Sequence, residues 1–167
     1  MTLRGLIDCL WRAAYRVGFR LALVYWRMRQ PEHQGALVAV WAGCRLLLVQ
    51  QSYRRELSLP GGGIRPGESP PEAASRELAE ELGLHVAQGR LKPVFQTTGL
   101  FDGRRDTVFF FELHVPEEPS VKPDNREITQ IWLIANNELP GLPVPEPVGR
   151  YLNWRRKANS ILISKGL

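Results

Sequence analysis

Glu77, Glu80 and Glu81 stand at i, i+3 and i+4 within GGIRPGESPPEAASRELAEELGL, the stretch from Gly62 to Leu84. On a helix that spacing brings the three side chains within about 100° of arc on one face. Like charges crowded there repel, and the negative end of the helix dipole adds to the cost. A hard divalent cation offsets both effects, because carboxylate oxygens are its preferred ligands. The residue types therefore point to a Mg2+ or Mn2+ site on a helix, beside a Gly-rich loop. The competing reading is an amphipathic helix with a solvated glutamate face, which is what a charge run more often means.

The helix that must carry these residues is defined at both ends. Ser69 is a candidate N-cap, Pro70 stands at N1, and Glu72 at N3 completes a capping box. Gly83 supplies a left-handed stop, and Leu84 can make the hydrophobic contact that follows it. The spacing predicts a helix over Pro71–Leu82, with Ala74, Leu78 and Leu82 as its apolar face. Gly61, Gly62 and Gly63 let the backbone ahead of it turn sharply and come close to a ligand. Tyr53, Arg54 and Arg55, one loop earlier, suit phosphate binding or stacking on a base, and equally an exposed basic loop.

The full spacing says more than its parts. Gly62, five residues, Glu68, seven residues, then Arg76-Glu77-Leu78-Ala79-Glu80-Glu81-Leu82-Gly83-Leu84 resembles the Nudix box at every defined position. The chain is thus similar to the Nudix hydrolases, and the strand order around the box agrees from about Ala36 to about Trp154. The resemblance implies an α/β fold, a Nudix-type α/β/α sandwich with a mixed central β-sheet. It also implies a Mg2+-dependent pyrophosphohydrolase, with Mn2+ as a substitute. Such an enzyme cleaves a nucleoside diphosphate linked to another moiety by metal-activated water attack.

On that resemblance Glu77 and Glu81 are metal ligands, Glu80 is a ligand or the base, and the carbonyl of Gly61 is a further ligand. Arg76 would orient the glutamates, and Glu68 would hold Arg76. Glu127 occupies the place from which many members take another ligand or base, with Asp124 behind it. Arg54, Arg55, Gly62 and Gly63 are the candidates for substrate contact. The alternative from another class is a non-catalytic module of the same fold that binds a nucleotide or metabolite. Such modules usually lose box glutamates, and this chain keeps them all. Gly99 or Leu100 stands where the ADP-ribose group of the family carries proline, and Asp102 where the dinucleoside polyphosphate group carries tyrosine. The substrate therefore stays open beyond the diphosphate.

The 167 residues are enough for one domain with a real core and an appendage. Cys9 and Cys44 make neither a metal spacing nor a disulfide framework, which fits a reducing cytoplasm. The net charge of +5 is unevenly placed: residues 1–30 hold six Arg against one Asp, and residues 150–167 hold three Arg and two Lys with no acid. The stretch between is acidic, so no nucleic acid is expected as a partner, while the basic ends could meet an anionic surface.

Leu3, Ile7, Leu10, Ala14, Val17, Leu21, Val24 and Met28 keep a 4-3 alternation, which predicts an amphipathic helix over 1–30 ended by Pro31. Arg4, Asp8, Arg12, Arg16, Arg20 and Arg27 fall opposite, and Trp11, Tyr15, Tyr25 and Trp26 along the flanks. The longest uncharged run, Leu21–Trp26, is too short to span a bilayer and short for a signal-peptide core. Three uses are open to it. The stripe can dock on the domain as core, pair with a second copy as a homodimer, or lie on an anionic membrane at the inner surface.

The Nudix domain is expected over 34–167. Ala36–Trp41 and Arg45–Gln51 read as a β-hairpin covered on both faces, Leu57–Leu59 as a short strand, and Leu91–Thr98 and Thr107–Val115 as a second hairpin turning at Asp102-Gly103. Glu127–Ile134 is a further strand, and a Pro-rich connection leads to a terminal helix from about Val148.

Overall fold

The computed structural model describes residues 3–164 and the side chains of 5–160; the side chains of Leu3 and Arg4, and the end of the 34–167 domain, lie outside the described residues. Helix α1 (Leu3–Arg29) leads into β1 (Glu32–Ala42), β2 (Arg45–Gln51), β3 (Leu57–Ser58) and β4 (Gly61–Gly63). Helix α2 (Pro70–Leu82) follows, then β5 (Lys92–Phe101), β6 (Arg104–Val115), β7 (Ile128–Ala135) and α3 (Glu146–Ser164). The expected α/β/α sandwich with a mixed sheet is what forms.

The first hairpin turns as expected but opens at once. Trp41 pairs with Leu46 and Ala42 with Arg45 in antiparallel register. Beyond that β1 runs parallel to β6 along its whole length, and β2 runs antiparallel to β7. The chain from β3 to β4 fills the split, β3 pairing with β2 and β4 with β1. The carbonyl of Pro60 accepts from the Val38 amide at 2.9 Å, so even the proline between the two short strands satisfies a ladder group. This wedge carries the three glycines into the middle of the sheet. The second hairpin turns on Asp102 and Gly103 at φ 53° and 84°, the pair of left-handed residues that a two-residue hairpin turn demands.

Side chains alternate across the sheet with period two. Val38, Val40, Leu47, Val49, Phe111 and Leu113 point to the α2 side, where Ala73, Ala74, Leu78 and Leu82 meet them. Trp41, Leu46, Leu48, Val108 and Phe110 point to the other side, under Val148 and Tyr151 of α3. A buried polar cluster pins α3. The Tyr151 hydroxyl donates to Glu112 Oε1 at 2.7 Å and accepts from Trp41 Nε1 at 3.2 Å. Arg155 Nε donates to the same Glu112 oxygen at 2.8 Å, and its guanidinium lies 3.7 Å over the Trp41 ring. Burial pushes the Glu112 carboxyl up, but the hydrogen bonds from Tyr151, His114 and Arg155 outweigh it, and its pKa lies below the ordinary glutamate value.

Helix α1 forms and ends as expected, with Gln30 at φ 44° just before Pro31, yet it docks by a different face. Ile7, Leu10, Val17, Leu21, Val24 and Met28 of the 4-3 stripe are exposed. The domain is met instead by a second 4-3 series, Asp8, Tyr15, Phe19 and Trp26. Phe19 lies 4.8 Å from the Tyr53 ring, the Arg54 guanidinium 4.5 Å over Phe19, and the Arg104 guanidinium 4.0 Å over Trp26. Arg126 Nε reaches Asp8 at 3.3 Å, and Arg16 Nε reaches the Ser52 carbonyl at 3.0 Å. The physical reason is the surface underneath. It offers guanidinium planes and a tyrosine, which aromatic faces match and aliphatic branches do not.

Candidate active site

Helix α2 starts where its caps say. Ser69 is extended, its amide donates to the Glu72 carboxylate at 2.8 Å, and its hydroxyl donates to the same oxygen at 2.6 Å. Gly83 closes the helix at φ 66°, its amide bonding the Ala79 carbonyl and that of Leu84 the Leu78 carbonyl. Between the caps the helix turns Glu81 inward with Leu78 and Leu82, leaving Glu81 only 4% exposed. Glu77 sits at the edge of the buried face, and Glu80 is half exposed, tied to Arg65.

Glu81 is held by the glycine wedge: Gly61 donates its amide to Glu81 Oε2 at 2.9 Å. At φ 135° Gly61 also passes so close to β1 that a Cβ there would lie 2.2 Å from the Ala36 carbonyl oxygen. A Cβ on Gly62 would lie 2.6 Å from Glu77 Oε1. Both positions need glycine for close approach, one to backbone and one to a carboxylate.

Arg76 is the hub of the acidic cluster. Its Nε and Nη2 grip Glu68 at 2.8 and 3.0 Å, Nη1 reaches Glu77 at 2.6 Å and Glu80 at 3.1 Å, and Nη2 also donates to the Gly63 carbonyl at 3.0 Å. The Arg76 contact holds the Glu68 carboxyl down at about 2. Arg76→Lys would keep the charge and lose the fork. It is expected to weaken divalent-ion binding by about 10–100-fold, the usual effect of losing a group that orients ligands. Titration of Mn2+ by calorimetry checks this, and unchanged affinity would remove Arg76 from the positioning role.

Glu127 approaches from just before β7. Asp124 receives the amides of Arg126, Glu127 and Ile128, so its carboxylate fixes this turn from below. The Tyr53 hydroxyl donates to Glu127 Oε1 at 2.7 Å. Burial raises Glu81 well above the ordinary glutamate value, against the Gly61 amide, and Glu127 and Glu77 add to the rise. Burial likewise raises Glu127 against the Tyr53 bond, with Glu77 and Asp124 adding. Burial raises Glu77 too, opposed by Arg76.

Among the described residues no three His, Cys, Asp or Glu side chains close on one point as a finished metal cage. The oxygens are instead taken by Arg76, the Gly61 amide and the Tyr53 hydroxyl. The donor chemistry nonetheless fits a hard divalent ion: clustered carboxylates whose burial and mutual repulsion call for positive charge.

Glu77 and Glu127 open onto a cleft of about 490 Å3, walled by the three glycines, Tyr53 and Arg54 and roofed by Phe19 and Trp26 of α1. The structure brings Glu77, Glu81 and Glu127 together and leaves Glu80 on the outer rim. Arg54 lines the cleft and is paired with Asp102, whereas Arg55 is exposed and takes no part in the wall. Sequence reasoning missed His33, whose Nδ1 is 2.9 Å from Asp106, and Arg104, paired to Asp106 at 3.0 Å, both in the cleft wall. The parallel pairing of β1 with β6 sets His33 opposite Asp106, which no local spacing signals, whereas Arg104 lies two residues from Asp106 on the same face of β6.

Residues 31–150 match the family model described as the NUDIX domain. The chain is 47% identical over 53 residues to "Putative 8-oxo-dGTP diphosphatase 2" of Mycobacterium tuberculosis (strain CDC 1551 / Oshkosh), a match covering 29% of this chain and 38% of that protein. It is 35% identical over 72 residues to diphosphoinositol polyphosphate phosphohydrolase 2 of Rattus norvegicus, covering 43% of this chain and 38% of that protein. The chain thus spans under two fifths of the length of these curated relatives. Among solved structures, a MutT NUDIX hydrolase from Burkholderia pseudomallei aligns with a TM-score of 0.65 at 20% identity, over 73% of this chain and 96% of that one. That likeness is one of fold.

Proposed function

Because this chain belongs to the Nudix family, whose domain model matches residues 31–150, we propose that it is a Mg2+-dependent pyrophosphohydrolase. Its substrate in this reading is a nucleoside diphosphate linked to another moiety, attacked by water. The observation that carries the reading is the neighbourhood of Glu77 and Glu81 on α2 and Glu127 in the turn before β7, each held up in pKa by burial and neighbouring carboxylates. Both curated relatives bear the names of phosphate-cleaving enzymes, which supports a hydrolase over a binding module.

A divalent ion held there would screen the diphosphate, acidify water and steady the leaving oxygen. Glu77 and Glu81 are the proposed ligands, with the Gly61 carbonyl beside them. Glu127, fixed by Tyr53, is the proposed proton acceptor or a further ligand, and Glu80 completes the acidic rim in the same two capacities. Arg76 positions Glu77 and Glu80. Arg54, Gly62 and Gly63 would meet the phosphates from the cleft wall, and Arg55 would reach in from its exposed loop. Residues 34–167 are the proposed catalytic domain and 1–30 an appended helix. Free, exposed Cys9 and Cys44 suit a cytoplasmic enzyme, with α1 available to a second copy or to an anionic surface.

The test is product release from a panel of nucleoside diphosphate compounds and 8-oxo-dGTP, with Mg2+, with Mn2+ and with EDTA. Turnover in Mg2+ that falls by about a hundredfold or more in EDTA is expected, since the ion does the charge work. Mg2+ alone should also raise the melting temperature, because it binds the folded state only. No turnover on any compound, with a melting temperature raised by nucleotide, would assign a binding module.

A further inference from the structure

We propose that the outward face of α1 is a docking surface for an anionic phospholipid bilayer. It goes beyond the hydrolase reading and does not depend on it. Ile7, Leu10, Val17, Leu21, Val24 and Met28 form one continuous apolar stripe, with Leu21 66% and Met28 79% exposed. The helix is already anchored by Tyr15, Phe19 and Trp26 on a face about 150° away around its axis, from the 100° step per residue. The stripe is therefore left over after docking, and burying it is not needed to hold α1 in place. An exposed apolar face of this length on a folded domain marks an interaction site.

Charge selects the occupant. Arg20 borders the stripe at a position that would flank a helix–helix seam, and Arg20, Arg27 and Arg29 are all exposed. Asp8, the one acid of the helix, is taken by Arg126 of the domain. Two such helices pairing would bring two arginine-rich helices together with no glutamate at the positions beside the seam to balance them, against the pattern that stabilises coiled coils. An anionic lipid surface neutralises the same arginines while the stripe enters the acyl boundary, and Trp11 and Tyr25, both exposed on the flanks, suit the interface. No helix among the described residues is long and apolar enough to cross a membrane, so the contact is peripheral. Because Phe19 and Trp26 roof the cleft from the opposite face of α1, the contact tethers the protein without occupying the cleft.

Co-sedimentation of the full chain with vesicles tests this, comparing equal parts phosphatidylglycerol and phosphatidylcholine with phosphatidylcholine alone. Binding to the anionic vesicles at low salt, weaker at high salt, is expected. The double variant Leu10→Glu/Leu21→Glu should lose roughly tenfold or more in affinity, and Arg20→Glu/Arg29→Glu likewise, with helix content and nucleotide hydrolysis unchanged. The proposal is overturned if the full chain ignores both vesicles or if the leucine variant binds as well as the parent. It is also overturned if sedimentation velocity without lipid shows a dimer that those same substitutions dissociate, which would assign the stripe to a second copy.

Discussion

Glu81→Gln is expected to lower turnover by about a hundredfold or more while leaving the melting temperature unchanged or raised. Loss of groups that merely orient ligands costs about 10–100-fold, so loss of a proposed ligand belongs at or beyond the upper end. Stability moves the other way because of where the carboxylate sits. Glu81 is almost fully buried, its pKa is raised well above 4.5 by burial and by Glu127 and Glu77, and the Gly61 amide opposes the rise by favouring its charge. A carboxyl with a raised folded pKa is most stabilising when protonated, so its contribution falls as pH climbs from the ordinary value toward the folded one. Glutamine keeps an oxygen for the Gly61 amide and removes the charge. In EDTA the variant should therefore match or exceed the parent's melting temperature at pH 8, with the gap narrowing toward pH 5. Near-parental turnover in Mg2+ would remove Glu81 from the metal site. A large fall in melting temperature would mean its role is structural.

The second large effect lies on the opposite side of the sheet. Glu112→Ala is expected to destabilise the fold by about 3–5 kcal/mol, the cost of removing one partner from a buried ion pair. Arg155 would be left over Trp41 without its carboxylate, and the Tyr151 hydroxyl would lose its acceptor. Urea unfolding measures this, and a change under about 1 kcal/mol would place Glu112 among ordinary surface pairs. The pH dependence follows in sign. The folded pKa of Glu112 is depressed, so its stabilisation is present above the ordinary glutamate value of 4.5 and is lost as pH falls through the lower folded value. Glu68, held at about 2 by Arg76, acts in the same direction over 4.5 to 2. Acid unfolding of Glu112→Gln should begin from a lower stability and lose less of it over that range.

Helix α2 was readable because every signal for it is local. Its caps, glycine stop and apolar spacing lie within the stretch Ser69 to Leu84, and side-chain direction on a helix follows from position alone. The same holds for the Asp102-Gly103 turn, where left-handed backbone is demanded on the spot. The Arg76 grip on Glu68 and Glu77 was legible for a related reason, since one loop and two helical turns connect them. Helix α1 shows where such reading fails. Its aliphatic 4-3 stripe is the stronger pattern, yet the weaker aromatic series docks, because the partner surface is assembled from Tyr53, Arg54 and Arg104 on distant segments.

What the amino-acid sequence determined by itself is the Gly62–Leu84 loop and helix, and with it the family and the identity of the acidic cluster. What only the tertiary structure decided is how the three glutamates divide. Glu81 is driven inward beside Leu78 and Leu82 and onto the Gly61 amide, Glu77 is left at the cleft, and Glu80 at the rim. The division comes from the wedge of β3 and β4 between the splayed β1 and β2, which sets the glycine backbone against one side of α2. Helical periodicity fixes the angles between side chains, whereas the choice of which angle faces the sheet is made by packing from strands far along the chain.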